Sequence, residues 1–273
     1  MTISFQQLHP VFQILVGIVF LYLLLCLVAL FFSRPMLFPA PASSYDDAYP
    51  TVTLKTADGL EVAGYYIENP LASLTLLFSH GNGEDIGRMQ EYLEELRDLG
   101  FSVFAYDYPG YGLSQGTPTE NGCYHAADAA YDYLVNERGV DPNAIVLYGR
   151  SLGGGPSMEL ASRHPVAGII LESAFVSAFR VLTRVTFFPF DQFRNLEKMS
   201  MIDCPSLIIH GERDEVIPFW HGRVLHEAAP NPKTFLPLPR ASHNDVRSVG
   251  GQAYLDAIKA FGSSLPASKK EKP

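Results

Sequence analysis

Cysteine is scarce in this sequence, with three in 273 residues, at positions 26, 123 and 204. Their spacing fits neither a disulfide framework nor a zinc site, so neither is expected. Basic residues are also few, since 20 Lys and Arg stand against 29 Asp and Glu, for a formal net charge of −9. The basic cluster Lys269, Lys270 and Lys272 lies in a tail, residues 265–273, that is predicted to be disordered. Without a basic patch the chain is not expected to bind nucleic acid.

Charge is absent from Ile14 to Phe32. A helix of this length rises about 30 Å, the thickness of a hydrocarbon layer, so we predict a single-pass membrane anchor over residues 1–34, its helix at about 11–32. A cleaved signal peptide is the alternative, because Ala40-Pro41-Ala42 resembles a cleavage site. Residues 1–10 contain no Lys or Arg, and the apolar run exceeds a signal-peptide core, which favours a retained anchor.

Arg34 is the basic residue nearest to this apolar segment, and it favours a cytoplasmic location for the rest of the chain. A Pro/Ala linker is expected over residues 35–50. The following residues, 51–264, are numerous enough for one large domain with a core that needs no disulfide or structural metal.

Strand-like and helix-like patterns alternate along this domain, after a hairpin signal at Asp58-Gly59. The predicted strands are 51–56, 60–67, 74–79, 102–107, 145–148, 167–171, 206–210 and 234–238, and the predicted helices are 84–99, 120–138, 152–163, 220–228 and 249–261. This alternation predicts an α/β fold, a mostly parallel sheet covered by helices on both faces. The interval 173–205 breaks the rhythm, is rich in phenylalanine, and is interpreted as a short cap.

The pattern G-x-S-x-G, typical of hydrolase nucleophiles, occurs twice, around Ser114 and around Ser151. A nucleophile elbow needs a strand directly before the serine and a helix directly after it. Ser151 follows the strand IVLYG and precedes the helical sequence LGGGPSMELASR. Ser114 lies in a glycine-rich loop and is followed by Thr117-Pro118, so we predict Ser151 as the nucleophile.

A serine hydroxyl needs a histidine base, which in this architecture comes last in the chain. His243 lies in a loop of small and polar residues between the last strand and the closing helix, where the base is expected. His221 and His226 fall in or beside a predicted helix, so we predict His243 as the base.

An acid must orient that histidine, and in chain order it lies between the serine and the histidine. Asp214 comes three residues after the glycine that ends the strand SLIIH, which favours it. Glu212 and Glu215 are its neighbours, with longer side chains that are expected to face water. Glu172, at the end of the preceding strand, is the alternative acid.

Acyl transfer also needs donors for the developing oxyanion. We predict the backbone N–H of Leu152, next to the nucleophile, and that of Asn82, in the loop His80-Gly-Asn-Gly. The spacing Gly81, Gly83, Gly87 superficially resembles a dinucleotide fingerprint, with Asp107 as its ribose-binding acid. That spacing is one residue too long, and a preceding hairpin is foreign to the motif.

Five separated segments carry a family resemblance that covers about residues 51–261: FSHGNGEDIG, YDYPGYGLSQG, VLYGRSLGG, LIIHGERDEVIPFWHG and SHND. They resemble the membrane-associated α/β-hydrolase-domain proteins that include eukaryotic protein depalmitoylases and their bacterial relatives. The resemblance implies an α/β-hydrolase fold with an eight-stranded sheet and a serine esterase or thioesterase whose triad is Ser151, Asp214 and His243. The eukaryotic depalmitoylases resemble one another in a Cys-rich N-terminus, whereas this chain has an apolar helix.

The resulting hypothesis is a membrane-anchored serine hydrolase that cleaves acyl esters or thioesters of lipids or acylated proteins, with no metal and no cofactor. An acyl-protein thioesterase specifically, a serine peptidase, a non-catalytic anchored interaction protein and a dinucleotide-dependent reductase remain alternatives. In the cap, Phe175 and Phe179 are candidate substrate-binding residues, with local packing as the alternative.

Overall fold

The computed structural model describes residues 10–266 and divides the chain into two compact units, residues 1–39 and 40–273. In the described part of the first unit lies the helix α1 (Pro10–Leu37), which is long and apolar enough to cross a membrane. Its 28 residues rise about 42 Å. The helix was expected to end at about residue 32, but it continues past Pro35 to Leu37. A proline removes a single backbone donor, and the N–H of Phe38 still donates to the carbonyl of Arg34 at 2.9 Å.

The expected linker, residues 35–50, is also different in the structure. Its first residues belong to α1, and from Ala40 onward the segment is part of the second unit. The N–H of Ser44 donates to the Asp85 carboxylate at 2.7 Å, and the Tyr45 hydroxyl donates to Asp107. These contacts are long-range in sequence, so a proline-rich composition did not reveal them. Most of the tail predicted to be disordered, residues 267–273, lies outside the described residues.

The second unit is built on one eight-stranded sheet, with the strand order β1-β2-β4-β3-β5-β6-β7-β8. Its strands are β1 (Val52–Lys55), β2 (Glu61–Ile67), β3 (Thr75–Ser79), β4 (Ser102–Tyr106), β5 (Ile145–Arg150), β6 (Gly168–Glu172), β7 (Ser206–Gly211) and β8 (Lys233–Leu238). β2 is antiparallel to both β1 and β4, and all the remaining neighbouring pairs are parallel. The prediction of a mostly parallel eight-stranded sheet is confirmed.

Hydrophobic patterning explains this layout. The central strands β3 to β7 are buried along their whole length apart from Arg150 at the end of β5, as expected for strands covered on both faces. β1 shows mixed exposure, since it lies at the edge of the sheet. The β1–β2 hairpin turns at Gly59, whose φ of +84° suits glycine.

Helices lie on the five intervals where helical periodicity was predicted, and two short helices that were not predicted occur in the interval 173–205. They are α2 (Ile86–Asp98), α3 (Glu120–Asp132) continued by a π-helical turn (Tyr133–Glu137), α4 (Gly154–Ala161), then α5 (Arg180–Thr183) and α6 (Asn195–Lys198), α7 (Trp220–Ala228) and α8 (Val246–Ser264). Side-chain caps define two starts, since Asp85 accepts from Arg88 N–H and Thr119 accepts from Gly122 N–H. Parallel strands place their carboxyl ends at one edge of the sheet, and the loops that leave this edge carry the candidate site.

The interval 173–205 contains the short helices α5 and α6, a 3₁₀ turn, and no strand. It leaves the sheet after β6 and returns at the start of β7. It therefore forms an insertion between β6 and β7, as expected of a cap. Aromatic contacts hold this insertion together, such as that of Phe179 with Phe188, whose ring centroids lie 5.1 Å apart.

Candidate active site

Ser151 sits at a sharp turn between a strand and a helix. β5 ends at Arg150, Ser151 has a φ of +53°, and a single 3₁₀ turn leads into α4. Such a φ is costly for a residue with a side chain, and it persists only where the surroundings impose it. A Cβ at Gly153 would overlap the carbonyl oxygen of Ser79, and one at Gly149 would lie 2.6 Å from the carbonyl oxygen of Gly153. Both glycines of the motif are therefore required by close backbone packing.

Three side chains form a hydrogen-bonded line at the carboxyl edge of the sheet. The Oγ of Ser151 lies 3.0 Å from Nε2 of His243, and Nδ1 of His243 lies 2.8 Å from Oδ2 of Asp214. All three residues are almost fully buried. The structure thus brings together the predicted nucleophile, base and acid, which are separated by up to 92 residues in sequence.

Backbone donors hold Asp214 in place. Its Oδ1 accepts from the N–H groups of Val216 at 3.0 Å and Ile217 at 2.7 Å. Burial alone raises the pKa of Asp214, but the hydrogen bond and charge of His243 and the bond from Ile217 outweigh it, so the pKa lies below its ordinary value. The carboxylate is ionised at neutral pH and accepts a hydrogen bond from Nδ1–H of His243.

The loops that carry the acid and the base are joined by their backbones. The N–H of Arg213 donates to the carbonyl of Ala241 at 3.0 Å, and that of Glu212 donates to Leu238 at 3.0 Å. A Cβ at Gly211 would overlap the Ala241 carbonyl, so this approach requires glycine at the end of β7. The alternatives Glu212 and Glu215 are both exposed, as their longer side chains suggested.

A second histidine lies behind the acid, and sequence reasoning missed it. Nε2 of His210 lies 2.8 Å from the Ile217 carbonyl and 3.4 Å from Oδ2 of Asp214. Burial lowers the pKa of His210, which favours the neutral imidazole with its proton on Nε2. The signal available in the sequence was a histidine within SLIIHG, since a polar side chain in a strand buried on both faces needs a partner.

Arg150, between Gly149 and the nucleophile, connects three loops. Its guanidinium pairs with Glu84, lies 3.2 Å from Oε1 of Glu172, and donates to Oδ1 of Asn244 at 3.3 Å. Glu84 in turn accepts from the N–H of Gly81 at 2.8 Å. One partly buried cation thus joins the elbow to the loop after β3 and to the residue after His243. Sequence reasoning did not single out this arginine.

Glu172, the alternative acid, is engaged elsewhere. It is buried, and its carboxylate accepts the hydroxyls of Tyr148, at 2.7 Å, and Tyr254, besides its pair with Arg150. The Tyr92 hydroxyl completes this cluster with a bond of 2.8 Å to Tyr148. The carboxylate at the end of β6 therefore stabilises the core under the elbow, and the carboxylate in the loop after β7 contacts the base.

The predicted oxyanion donors lie on two loops in direct contact. The N–H of Leu152 belongs to the first turn after Ser151, where a helix has no acceptor of its own. Asn82 follows β3, the strand paired with β5, and its carbonyl accepts the Tyr111 hydroxyl at 2.8 Å, which fixes the peptide. The tight contact of Gly153 with the Ser79 carbonyl brings the β3 loop against the elbow. An oxyanion role for Leu152 and Asn82 remains a prediction.

The remaining candidates occupy other places. The Ser114 hydroxyl accepts the N–H of Ala63 at 3.0 Å and so ties its loop to β2. His221 is buried on α7, where its Nδ1 accepts from Val176 N–H at 3.1 Å, and His226 stacks on Phe235. Asp107, the acid of the dinucleotide alternative, is buried, accepts from Ile86 N–H at 2.9 Å and lies 3.2 Å from His80.

The cap phenylalanines have packing partners within the cap. Phe175 is buried, with its ring 6.2 Å from that of Phe193. Phe179 is half-buried and contacts Phe188 and Phe190. These contacts fit the local-packing alternative, and a substrate contact by Phe175 or Phe179 remains a prediction.

Comparison with known proteins gives relatives that match most of this chain. The chain is 40% identical over 227 residues to human alpha/beta hydrolase domain-containing protein 17B, a match that covers 81% of this chain and 78% of the human protein. It is 43% identical over 195 residues to alpha/beta hydrolase domain-containing protein aho-3 of Caenorhabditis elegans, covering 70% of this chain and 58% of that protein. A family model described as serine aminopeptidase, S33, matches residues 72–188.

Solved structures show the same architecture at low sequence identity. An esterase of Pyrococcus furiosus superposes with a TM-score of 0.69 at 18% identity, covering 84% of this chain and 98% of that one. The esterase domain of a Rhodothermus marinus protein superposes with a TM-score of 0.61 at 18% identity, covering 79% and 98%. These similarities establish an α/β-hydrolase fold for the second unit.

Proposed function

We propose how this chain acts, starting from its family: it belongs to the alpha/beta hydrolase domain-containing proteins and is a serine hydrolase of the esterase or thioesterase type. In this proposal it cleaves acyl esters or thioesters at a membrane, and the reaction uses Ser151, His243 and Asp214. The observation that carries the proposal is the hydrogen-bonded line from Ser151 through His243 to Asp214 at a strained strand-to-helix turn. Family membership supplies the reaction class, and this arrangement supports the identity of its nucleophile, base and acid.

The proposed reaction has two steps. The Oγ of Ser151 attacks the carbonyl carbon as Nε2 of His243 takes its proton, and the ionised Asp214 stabilises the imidazolium that forms. Negative charge on the carbonyl oxygen is stabilised by the N–H groups of Leu152 and Asn82. His243 then protonates the leaving alcohol or thiol, and water attacks the acyl-enzyme by the same route.

The proposed substrates are acyl chains that reach the enzyme from a membrane, on a lipid or an acylated protein. α1 supports this class, because its length and composition suit a membrane anchor that would hold the domain where such chains lie. Arg34, in the last turn of α1, favours a cytoplasmic active site. Within this class an acyl-protein thioesterase is the narrower candidate, suggested by the resemblance to depalmitoylases.

A fluorophosphonate probe tests the nucleophile. We expect the full-length protein to be labelled, Ser151→Ala to be unlabelled, and Ser114→Ala to be labelled like the wild type, because Ser114 serves as a backbone acceptor. The absence of labelling in the wild type would favour a non-catalytic interaction protein. Labelling that persists in Ser151→Ala would make the assignment of Ser151 wrong.

Substrate class is tested by matched series of acyl esters and thioesters with increasing chain length. We expect kcat/KM to rise with chain length for at least one leaving group, since longer chains bury more apolar surface. Rates that stay flat or fall with chain length would reject lipidic substrates. Preferential cleavage of peptide amides would instead establish the serine peptidase.

A further inference from the structure

The exposed apolar residues of the second unit are unevenly distributed. Among its described residues, 40–266, five of the seven large exposed hydrophobic side chains lie within about fifteen residues after a strand that ends at the carboxyl edge of the sheet: Leu113 after β4, Leu182, Val185 and Phe187 after β6, and Val216 after β7. Met201 lies further along the interval after β6, where the chain returns to β7. Ser151 follows β5 and lies at the same edge. The edge that carries the candidate site is therefore also the edge with an apolar surface.

Three of these five side chains fall in one short segment, residues 180–188, which we name the cap tip. Leu182 is 72% exposed, Val185 61% and Phe187 42%. The cap tip contains two arginines, Arg180 and Arg184, and no acidic residue, in a chain whose net charge is −9. Apolar side chains beside basic ones on an acidic protein are the pattern of a surface that binds an anionic membrane.

The base of the cap holds this segment in position. Asp191 accepts the Ser177 hydroxyl at 2.6 Å and the N–H of Phe179 at 2.8 Å. The guanidinium of Arg180 lies 5.3 Å from the centre of the Trp220 ring on α7. The cap tip, which carries the exposed side chains, is therefore fixed to the domain at its base.

The cap also starts beside the candidate nucleophile. Ser173 follows Glu172, which pairs in register with Arg150, the residue before Ser151. A cap tip bound to a bilayer would keep the active-site edge close to the membrane surface. Acyl chains leaving that surface would then have a short path to Ser151.

We propose that the cap tip docks on the surface of an anionic phospholipid bilayer, with Leu182, Val185 and Phe187 entering the interface and the exposed Arg184 contacting lipid phosphates, while Arg180, held on Trp220, adds positive charge. The proposal gives the proposed hydrolase its means of reaching membrane-held acyl chains, and to that extent it rests on the proposed function. Each interfacial arginine adds to the attraction toward anionic lipid, and the apolar side chains remove surface from water.

Site-specific fluorescence tests the docking without relying on catalysis. The full-length Leu182→Cys protein is labelled with an environment-sensitive fluorophore and reconstituted in vesicles of phosphatidylcholine with or without phosphatidylserine. We expect a blue-shifted emission that grows with phosphatidylserine. Leu71→Cys is the matched control, because Leu71 is 95% exposed and precedes β3 at the opposite edge. The unsubstituted chain controls for the buried native cysteines.

Substitution of an arginine tests whether positive charge contributes to the docking. In the Leu182→Cys background, Arg184→Gln should reduce the phosphatidylserine-dependent shift, while Arg138→Gln, an exposed arginine before β5, should not. An identical spectrum at position 182 with and without phosphatidylserine, or an equal shift at position 71, would overturn the proposal. A shift at position 182 that appears only after a soluble acylated protein is added would overturn it in favour of a protein partner.

Kinetics separates the docking from the chemistry. The variant Leu182→Ser/Val185→Ser should hydrolyse acyl substrates held in anionic vesicles about tenfold more slowly. Its fluorophosphonate labelling and its hydrolysis of a water-soluble short-chain ester should match the wild type. Equal vesicle rates would overturn the docking role, whereas a wild type inactive on both substrates would reject the proposed function and leave the fluorescence result standing.

Discussion

At the residue scale, the candidate site depends on one ionised carboxylate and one imidazole whose two nitrogens have different partners. Nδ1 of His243 lies against Asp214 and Nε2 against Ser151. Because the lowered pKa of Asp214 keeps it ionised, the Nδ1 proton has an acceptor and Nε2 is left to accept a proton from the serine. Geometry and ionisation therefore favour the same proton transfer.

Asp214→Asn is expected to lower kcat on a soluble ester by about 10⁴-fold, because an amide no longer selects the imidazole tautomer that accepts from Ser151. The change keeps the shape of the side chain, so the thermal unfolding temperature should move much less than the rate. Glu215→Gln, at the exposed neighbour, is the matched control and should retain the wild-type rate. A nearly unchanged kcat for Asp214→Asn would reject Asp214 as the acid.

Arg150→Gln is expected to lower kcat by about ten- to a hundredfold with a smaller change in KM. Glu84 would lose its cation, and the loop that it holds through Gly81 N–H would become less well positioned for the oxyanion. Arg163→Gln, which breaks an exposed pair with Asp128, should leave both parameters unchanged. A loss confined to stability, with a normal kcat in the folded fraction, would contradict this role.

At the scale of elements, strand–turn–helix units place the chemistry. β5 and α4 meet at Ser151, and the neighbouring strand β3 supplies the loop that contacts the same turn. This contact leaves no room for a side chain at Gly153. At the elbow, the turn after β5 and the end of β3 therefore lie so close together that position 153 accommodates only glycine.

Gly153→Ala is expected to reduce the free energy of unfolding by about 1–3 kcal/mol, the usual cost of inserting atoms into a packed site. Its Cβ would overlap a backbone carbonyl, which cannot move aside as a side chain can. Gly83→Ala is the control, since a Cβ there meets nothing within 4 Å. Chemical denaturation of the two variants measures the difference, and equal midpoints would show that the turn relaxes without cost.

At the scale of the whole molecule, buried histidines make stability depend on pH. Burial lowers the pKa of His221 to about 3, whereas an unfolded histidine titrates near 6.5. Between these values the unfolded state binds more protons than the folded state, so this contribution to stability is complete above about pH 6.5 and is lost as the pH falls toward 3.

His221→Gln should therefore make the free energy of unfolding depend less strongly on pH. Glutamine keeps an acceptor for Val176 N–H but does not titrate. Between pH 6.5 and 4 the wild type should lose up to about 1.4 kcal/mol per pH unit relative to this variant, measured by denaturant titration at several pH values. His226→Gln, in the partly exposed position on the same helix, should behave more like the wild type. Parallel stability curves for wild type and His221→Gln would contradict the prediction.

Local patterns were enough to predict much of this protein. Continuous apolar runs predicted the buried strands, and glycine and turn residues marked their ends. The elbow motif with its flanking strand and helix favoured Ser151 over Ser114 as the nucleophile, which stays a prediction. These signals act over a few residues, so they can be recognised before the chain is folded. They also predicted eight strands in a mostly parallel sheet, and an apolar helix at about 11–32 that the structure extends to Pro10–Leu37.

Contacts between distant segments were decided only by the tertiary structure. Only the fold shows that Asp214 lies against His243 while Glu172 is surrounded by tyrosine hydroxyls, which supports the prediction of Asp214 over Glu172 as the acid. The connection through Arg150 and the attachment of Tyr45 to the domain join residues 22 to 94 positions apart. Such pairs leave no periodicity in a single sequence, because their partners are chosen by the packing of whole elements rather than by neighbours along the chain.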